Sequence, residues 1–367
     1  MEQLYHVLDV FFAPGILIGL AICFIFLSVP PKAALRNYRV SRYAMAAAYL
    51  LYALSIFFEY NVIRDSQGDT LSRPIILFVA CFQAFLFTYT LINLISINYL
   101  KWKRLFVELA VILVVSVALF SIHLLSSGNV LVWGFGVFVV FYIVLLARYV
   151  RLFNSQYSHY KSLMDNFYSD EESRRLQWVK RSFYISLAVG VLALLFALLP
   201  TSEFGVVFVV IVIVFYAVFG VRFINYALDF QSIETAITSS GDVTAPTTQA
   251  GNELTDRIDE LMANEKLYRK SDLSVGDVAA LLGERPRIVS AAINTCRHTN
   301  FKVYINEFRI AESKRLMDED KNNSRTIDAI AAESGFTNRS SFYRVFKNSQ
   351  GISPTDYRLT KKQSQMN

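Results

Sequence analysis

Cysteine is scarce. Cys23 and Cys81 fall in apolar stretches and Cys296 in a basic one, three in 367 residues. An odd number without metal-ligand spacing excludes a disulfide framework and a zinc site. Charge is scarce too, at 18% of residues against 54% hydrophobic, which excludes an ordinary soluble protein for the chain as a whole. The apolar stretches hold no run of acids that would serve as a proton relay, and no nucleophile with a base, metal cluster or phosphate loop stands out. No catalytic residue, metal or cofactor is therefore expected, and the chain is not read as an enzyme. Met1 to Asp9 contain Glu2 and Asp9 but no Lys or Arg. The apolar stretch that follows is expected to be a retained membrane helix rather than a cleaved leader.

What is present is a series of seven long apolar stretches: Val10 to Val29, Tyr43 to Val62, Pro74 to Ile97, Leu105 to Leu125, Val130 to Val150, Phe183 to Leu199 and Phe204 to Phe223. Each is close to the roughly 20 residues that a helix needs to cross hydrocarbon. Seven crossings put the termini on opposite faces. Basic residues choose the face. The first, third and fifth connections carry Lys32, Arg36, Arg39 and Arg42, then Lys101, Lys103 and Arg104, then Arg148, Arg151, Lys161, Arg174, Arg175, Lys180 and Arg181, whereas the even ones carry only Arg64 and Arg73. Positive residues stay inside, so the N-terminus is expected outside and the chain beyond Phe223 in the cytoplasm.

Several residues in this part carry two readings each. Gly15 and Gly19, like Ser186 and Gly190, have the spacing that lets helices approach closely, either within the bundle or at a dimer seam. Gln83, Thr88, Thr90 and Asn93 place polar atoms in the third span, for interhelical hydrogen bonds or a ligand pocket. Glu59 and His123, at the outer ends of the second and fourth spans, either meet an external ligand or proton or simply reach water. In the fifth connection, Ser169 followed by Glu172 suggests a capping box, and Leu176, Val179 and Phe183 continue helical spacing, so this connection is expected to extend the sixth span into the cytoplasm, either as a charged helix on the membrane surface or as a contact point for the C-terminal part.

Formal charge divides the chain: +6 over residues 1–228, −7 over 229–265 and +7 over 266–367. An acidic connector ahead of a basic terminal part marks a boundary, and the basic part suits phosphates. Residues 229–251, ending in SSGDVTAPTTQAG, have the composition of a flexible tether spanning roughly 25–30 Å. From Asn252, the residues Leu254, Ile258, Leu261 and Met262 follow a helical period, for packing on the terminal domain or pairing with a second chain.

Beyond it the sequence repeats loosely. VAALLG at Val278 to Gly283 returns as IAAESG at Ile330 to Gly335, each leading through a glycine to a second helix. Such a glycine suits the left-handed turn that ends a helix, so the pattern reads as a helix-turn-helix twice. Ser274 with Asp277, Thr326, and Ser353 ahead of Pro354 and Asp356 are expected caps. Phe301 to Asp320 reads as one linking helix, carrying Val303, Ile305, Phe308, Ile310, Ala311 and Leu316.

FKVYINEFRIAESKRLM followed by TIDAIAAESGFTNRSSFYRVFKNSQGISPTDYR resembles the C-terminal DNA-binding domain of the AraC/XylS transcription regulators, over about the last hundred residues. The resemblance implies two helix-turn-helix units on one DNA face, a bacterial source and, elsewhere in the chain, a sensing domain. It places Arg339, Ser340 and Tyr343 where bases are read and Arg344 and Lys347 where phosphates are met. In the first unit the matching positions are Arg287, Ser290 and Ala291, the last a departure from the larger polar residue found there in the family. Arg287 suits a base contact, or Arg285 and Arg287, flanking Pro286, suit phosphate. Phe342 and Phe346 are expected in the core.

The fold expected is all-α: a seven-helix transmembrane bundle over 1–228, a tether over 229–251, and a cytoplasmic double helix-turn-helix domain over 252–367. The function expected is a one-component regulator in the inner (cytoplasmic) membrane of a bacterium, sensing through the bundle and binding double-stranded promoter DNA. Membrane lipid, RNA polymerase, a second copy of the chain and a sensed ligand or membrane partner are the other expected partners, with Glu59, Gln83, Asn93 and His123 as candidate ligand contacts. The alternative is a transporter or a protein-anchoring module with a regulatory appendage.

Overall fold

Regular structure in the computed structural model is helical, apart from one isolated antiparallel bridge between Tyr168 and Ser274 among the described residues. Those residues are 7–29, 35–58, 72–96, 102–125, 129–169, 173–199, 201–225, 248–320 and 324–366. The chain divides into two compact units, one of Met1–Tyr160 with Arg175–Glu234 and one of Lys161–Arg174 with Thr235–Asn367.

The first unit contains α1 (Ala13–Phe26, after a π-helical turn at Leu8–Phe12), α2 (Arg36–Phe58), α3 (Ser72–Ile95), α4 (Trp102–Leu125), most of α5 (Asn129–Phe167), most of α6 (Ser173–Leu198) and α7 (Ser202–Asn225). Long apolar segments become helices here because a helix satisfies its own backbone hydrogen bonds without water. Six helices among the described residues are long and apolar enough to cross a membrane, and the first apolar helix, Val10–Phe26, is shorter than the expected Val10 to Val29. Leu27 closes the helix with its amide bonded to the Cys23 carbonyl and ψ turned to 120°.

Aromatic side chains knit this unit together. Tyr38 stacks on Phe223 with ring centroids 5.1 Å apart, and Phe24 meets Tyr49 and Phe223 edge-on. The Tyr hydroxyls find backbone carbonyls: Tyr38 donates to Phe223 at 2.9 Å and Tyr49 to Tyr216 at 2.6 Å. Tyr142 donates to Gly190 at 3.1 Å, and a Cβ on Gly190 would stand 2.9 Å from that hydroxyl, so the small residue there admits the tyrosine. Gly15 and Gly19, by contrast, are exposed, with none of the described residues within 4 Å of an added Cβ.

The fifth connection meets expectation at one end and departs from it at the other. The sixth-span helix is extended as expected, α6 beginning at Ser173 and taking in Leu176 and Val179, but α5 is extended too, running on to Phe167. Tyr149, Phe153, Tyr157, Tyr160, Met164 and Phe167 recur every three or four residues along it and are all buried, a stripe that sustains helix in spite of the intervening charges. Ser169 does not cap α6: its hydroxyl donates to the Leu273 carbonyl at 2.7 Å.

The second unit holds α8 (Thr248–Glu265), α9 (Val275–Leu282), α10 (Pro286–Cys296), α11 (Phe301–Glu319), α12 (Ile327–Glu333), α13 (Arg339–Gln350) and α14 (Pro354–Met366), together with residues 161–174. Helix α8 starts four residues before the expected Asn252, and its Gly251 is buried, tertiary contact overriding weak helix propensity. Leu254, Ile258 and Met262 of α8 are buried within the unit. Asp259 accepts from Arg297, just past the end of α10, and from Tyr304 of α11, so the acidic stretch is spent partly on internal pairs. The rest of the expected tether, 229–247, lies outside the described residues.

Candidate nucleic-acid interface

Each helix-turn-helix is set by local chemistry. At the start of α9 the Ser274 hydroxyl accepts from the Asp277 amide while the Asp277 carboxylate accepts from the Ser274 amide at 2.8 Å, a reciprocal cap. Burial works against the Asp277 charge, but the hydrogen bonds from Ser274 and the nearby Lys270 ammonium outweigh it and hold the carboxyl below its usual range. Gly283 ends α9 with φ +68°, the left-handed conformation in which a side chain is strained. Pro286 then opens α10 at a position where its missing N–H costs nothing.

The second unit repeats this plan. Thr326 caps α12 by accepting from the Ala329 amide at 3.0 Å. Gly335 follows with φ +94°, packed so closely that a Cβ would lie 2.4 Å from the Tyr268 carbonyl oxygen. Asn338 caps α13, accepting from the Ser341 amide at 2.8 Å, and Ser353 caps α14 by accepting from the Asp356 amide at 3.1 Å. Ile330, Phe336, Phe342 and Phe346 form the core beneath, with Ile310, Leu316 and Met317 of the linking helix α11. Phe342 and Phe346 are thus core residues, as expected.

With its core side buried, α13 turns its polar residues outward. Arg339, in its first turn, has a side chain 66% exposed; it faces Asp328 at 3.4 Å and lies over the Tyr343 ring at 5.1 Å from the centroid. The Tyr343 hydroxyl shares a 3.0 Å hydrogen bond with Thr355. Ser340 donates to Asn338, and Ser340, Arg344 and Lys347 are exposed. These five expected DNA contacts therefore lie on one short helix beside one another. In α10 the counterparts Arg287, Ser290 and Ala291 are half-buried, and the Ser290 hydroxyl donates to the Asn166 carbonyl at 3.4 Å.

A family model described as a helix-turn-helix domain matches residues 278–360, from within α9 to within α14. The C-terminal unit carries a helix-turn-helix domain. The match supports a DNA-binding transcription regulator, in keeping with the resemblance of the last hundred residues to the AraC/XylS regulators. No curated protein and no solved structure matches the chain.

Two features of the helix-turn-helix unit escape a reading of the sequence. Arg309, 1% exposed, donates from Nε to the Tyr268 carbonyl at 2.7 Å and from Nη2 to the Lys270 carbonyl at 2.9 Å and the Ser169 hydroxyl at 3.1 Å. Glu312 accepts from Arg315 at 2.8 Å and from Arg269, and these partners pull its carboxyl down to about 2. Buried charge with several partners of this kind is structural. Its only trace in the sequence is the helical spacing of Glu312 and Arg315.

In the first unit the candidate ligand residues part company. Gln83 lines a cavity of about 100 Å³, with Thr88, Tyr142, Tyr149, Ser186 and Tyr216, and no charged side chain is among its lining residues. Its amide donates to the Ala48 carbonyl at 2.7 Å and accepts from the Tyr216 hydroxyl at 2.9 Å. Asn93 is not part of this lining: it is buried and donates at 2.9 Å to both the Asn37 carbonyl and the Ser41 hydroxyl, tying α3 to α2. Glu59 lies outside the described residues, and of His123 only the backbone, in α4, is described.

Proposed function

We propose that this chain is a membrane-embedded, one-component transcription regulator whose N-terminal helices sense a signal and whose helix-turn-helix domain reads promoter DNA. The observation that carries the reading is the presence, in one chain, of six helices of spanning length and a helix-turn-helix domain. Outward apolar residues support embedding: on α4, Phe106, Val107, Val114 and Val117 are each more than half exposed, a surface that suits lipid and not water. Charge placement supports an N-terminus outside and the reader inside, where the chromosome is. On this reading residues 1–228 apart from 161–174 are the sensor, 248–367 with 161–174 are the reader, and 229–247 are one connection between them.

Arg339, Ser340 and Tyr343 read bases from α13, Arg344 and Lys347 hold phosphates, and Arg287 and Ser290 serve the first helix-turn-helix. Arginine suits guanine because its fork meets two acceptors at once. The uncharged cavity around Gln83, of about 100 Å³, suits only a small, neutral, mostly apolar signal. The test is selection of duplexes from a random library by the full chain in lipid nanodiscs at moderate ionic strength. Enrichment of a defined motif, lost in the Arg339→Ala, Tyr343→Ala double variant, supports the reading; enrichment of none, or of the same motif by the variant, refutes it.

A further inference from the structure

The C-terminal compact unit provides a built seat for residues 165–169. Its anchor is Ser169, whose amide and hydroxyl both donate to the Leu273 carbonyl, at 3.0 and 2.7 Å, while the same hydroxyl accepts from the buried Arg309 at 3.1 Å. Tyr168 pairs with Ser274, and the Phe167 ring lies 3.7 Å from where a Cβ on Gly276 would stand. The edge of the seat is more open. There the Asp165 carboxylate meets the Lys302 ammonium at 3.2 Å, and the Asn166 carbonyl accepts from Ser290 at 3.4 Å.

Ser290 belongs to α10, the helix expected to enter the major groove for the first unit. The two reading helices are therefore not equivalent. Arg339, Ser340, Arg344 and Lys347 of α13 are exposed, whereas Arg287, Ser290 and Ala291 of α10 are half-buried. An oxyanion held by Lys302 next to an occupied Ser290 is the arrangement that a DNA phosphate would require for itself.

We propose that residues 165–169 form an internal latch that competes with DNA for the first helix-turn-helix unit and leaves the second unit free to bind alone. The proposal rests on the DNA-reading function above. Asp165 stands in for a phosphate on Lys302, and the Asn166 carbonyl takes a donor that would otherwise face DNA. Because the latch is the end of α5, a change in α5 that withdraws Asp165 and Asn166 would unmask α10 and turn a one-unit reader into a two-unit reader.

The experiment uses the full chain in nanodiscs and two variants, Asp165→Asn, which removes the charge at constant size, and Asp165→Lys, which reverses it. Amide hydrogen exchange without DNA reports whether the segment and the start of α10 are freed. Duplex selection from a random library then reports how much DNA each chain reads. The unsubstituted chain is expected to enrich one short motif. Asp165→Lys is expected to enrich two motifs about 10 base pairs apart and to bind them at least about tenfold more tightly, a second linked reader adding through effective concentration, with Asp165→Asn between. Faster exchange with an unchanged motif and affinity overturns the latch while leaving the DNA-reading function standing. So does weaker binding by both variants, which would make the segment only a structural part of the first unit. Enrichment of no motif by any chain defeats the DNA-reading function, and the latch with it.

Discussion

Individual residues set the turns of the reading unit, and three glycines separate conformation from packing. Gly283, Gly335 and Gly351 all have positive φ, but only at Gly335 would a Cβ collide, 2.4 Å from the Tyr268 carbonyl and 2.9 Å from the Arg269 Cα. Left-handed backbone alone costs an alanine about 1–2 kcal/mol, and a forced shift in a packed site adds about 1–3 kcal/mol. Gly335→Ala is therefore expected to destabilise the unit clearly more than Gly283→Ala or Gly351→Ala, which protease-susceptibility titration in urea would rank. Glu312 gives a pH signature. Its carboxyl is held at about 2 from an ordinary 4.5 by Arg315 and Arg269. A depressed value means that the charged form stabilises the fold at and above the ordinary value, and that this contribution fades as pH falls toward 2. At about 1.4 kcal/mol per pH unit the displacement is worth about 3 kcal/mol at most. The stability gap between the natural chain and Glu312→Gln is expected to be widest at neutral pH and to narrow steadily below about 4.5; a gap independent of pH would refute it.

At the level of elements, most of what positions the interface can be read from the amino acids in order. The glycine endings, the Ser274–Asp277 cap and the apolar period of α13 are local features, and local features are what a sequence displays. Helix α5 was not legible in full: charges among Arg148, Arg151 and Lys161 suggest a loop, yet the buried stripe from Tyr149 to Phe167 continues the helix. Arg309 and Ser169 are 140 positions apart, and no periodicity announces such a partnership. Within α13 the proposed roles separate by experiment. Arg339→Ala is expected to relax discrimination at one base by about 1–3 kcal/mol. Lys347→Ala is expected to weaken binding to all duplexes alike and to reduce the salt slope by about 0.9. Anisotropy titrations across a salt series on matched and mismatched duplexes distinguish the two, and identical profiles would contradict the assignment.

For the whole molecule the decisive quantity is which side of the membrane each end occupies. The basic residues of the odd connections predict that a cysteine at Ser66 reacts with an impermeant maleimide in intact cells and that one at Lys361 does not. Labelling at Lys361 would remove the reader from the chromosome. The seven apolar stretches were visible in the sequence, but the share of each helix that packs and the share left open were not, because burial depends on neighbours that periodicity does not name. Gly15 and Gly19 illustrate this: their spacing suits close helix packing, and they stand open.

The second unit is assembled from two separate stretches of chain, 161–174 and 235–367. It is consequently joined to the remainder at three points, so its freedom is not that of a ball on one string. A gene fusion that splices it elsewhere at a single junction would leave Arg309 without Ser169 and Lys302 without Asp165, and grafting it onto another sensor would require carrying over the cytoplasmic end of a helix as well.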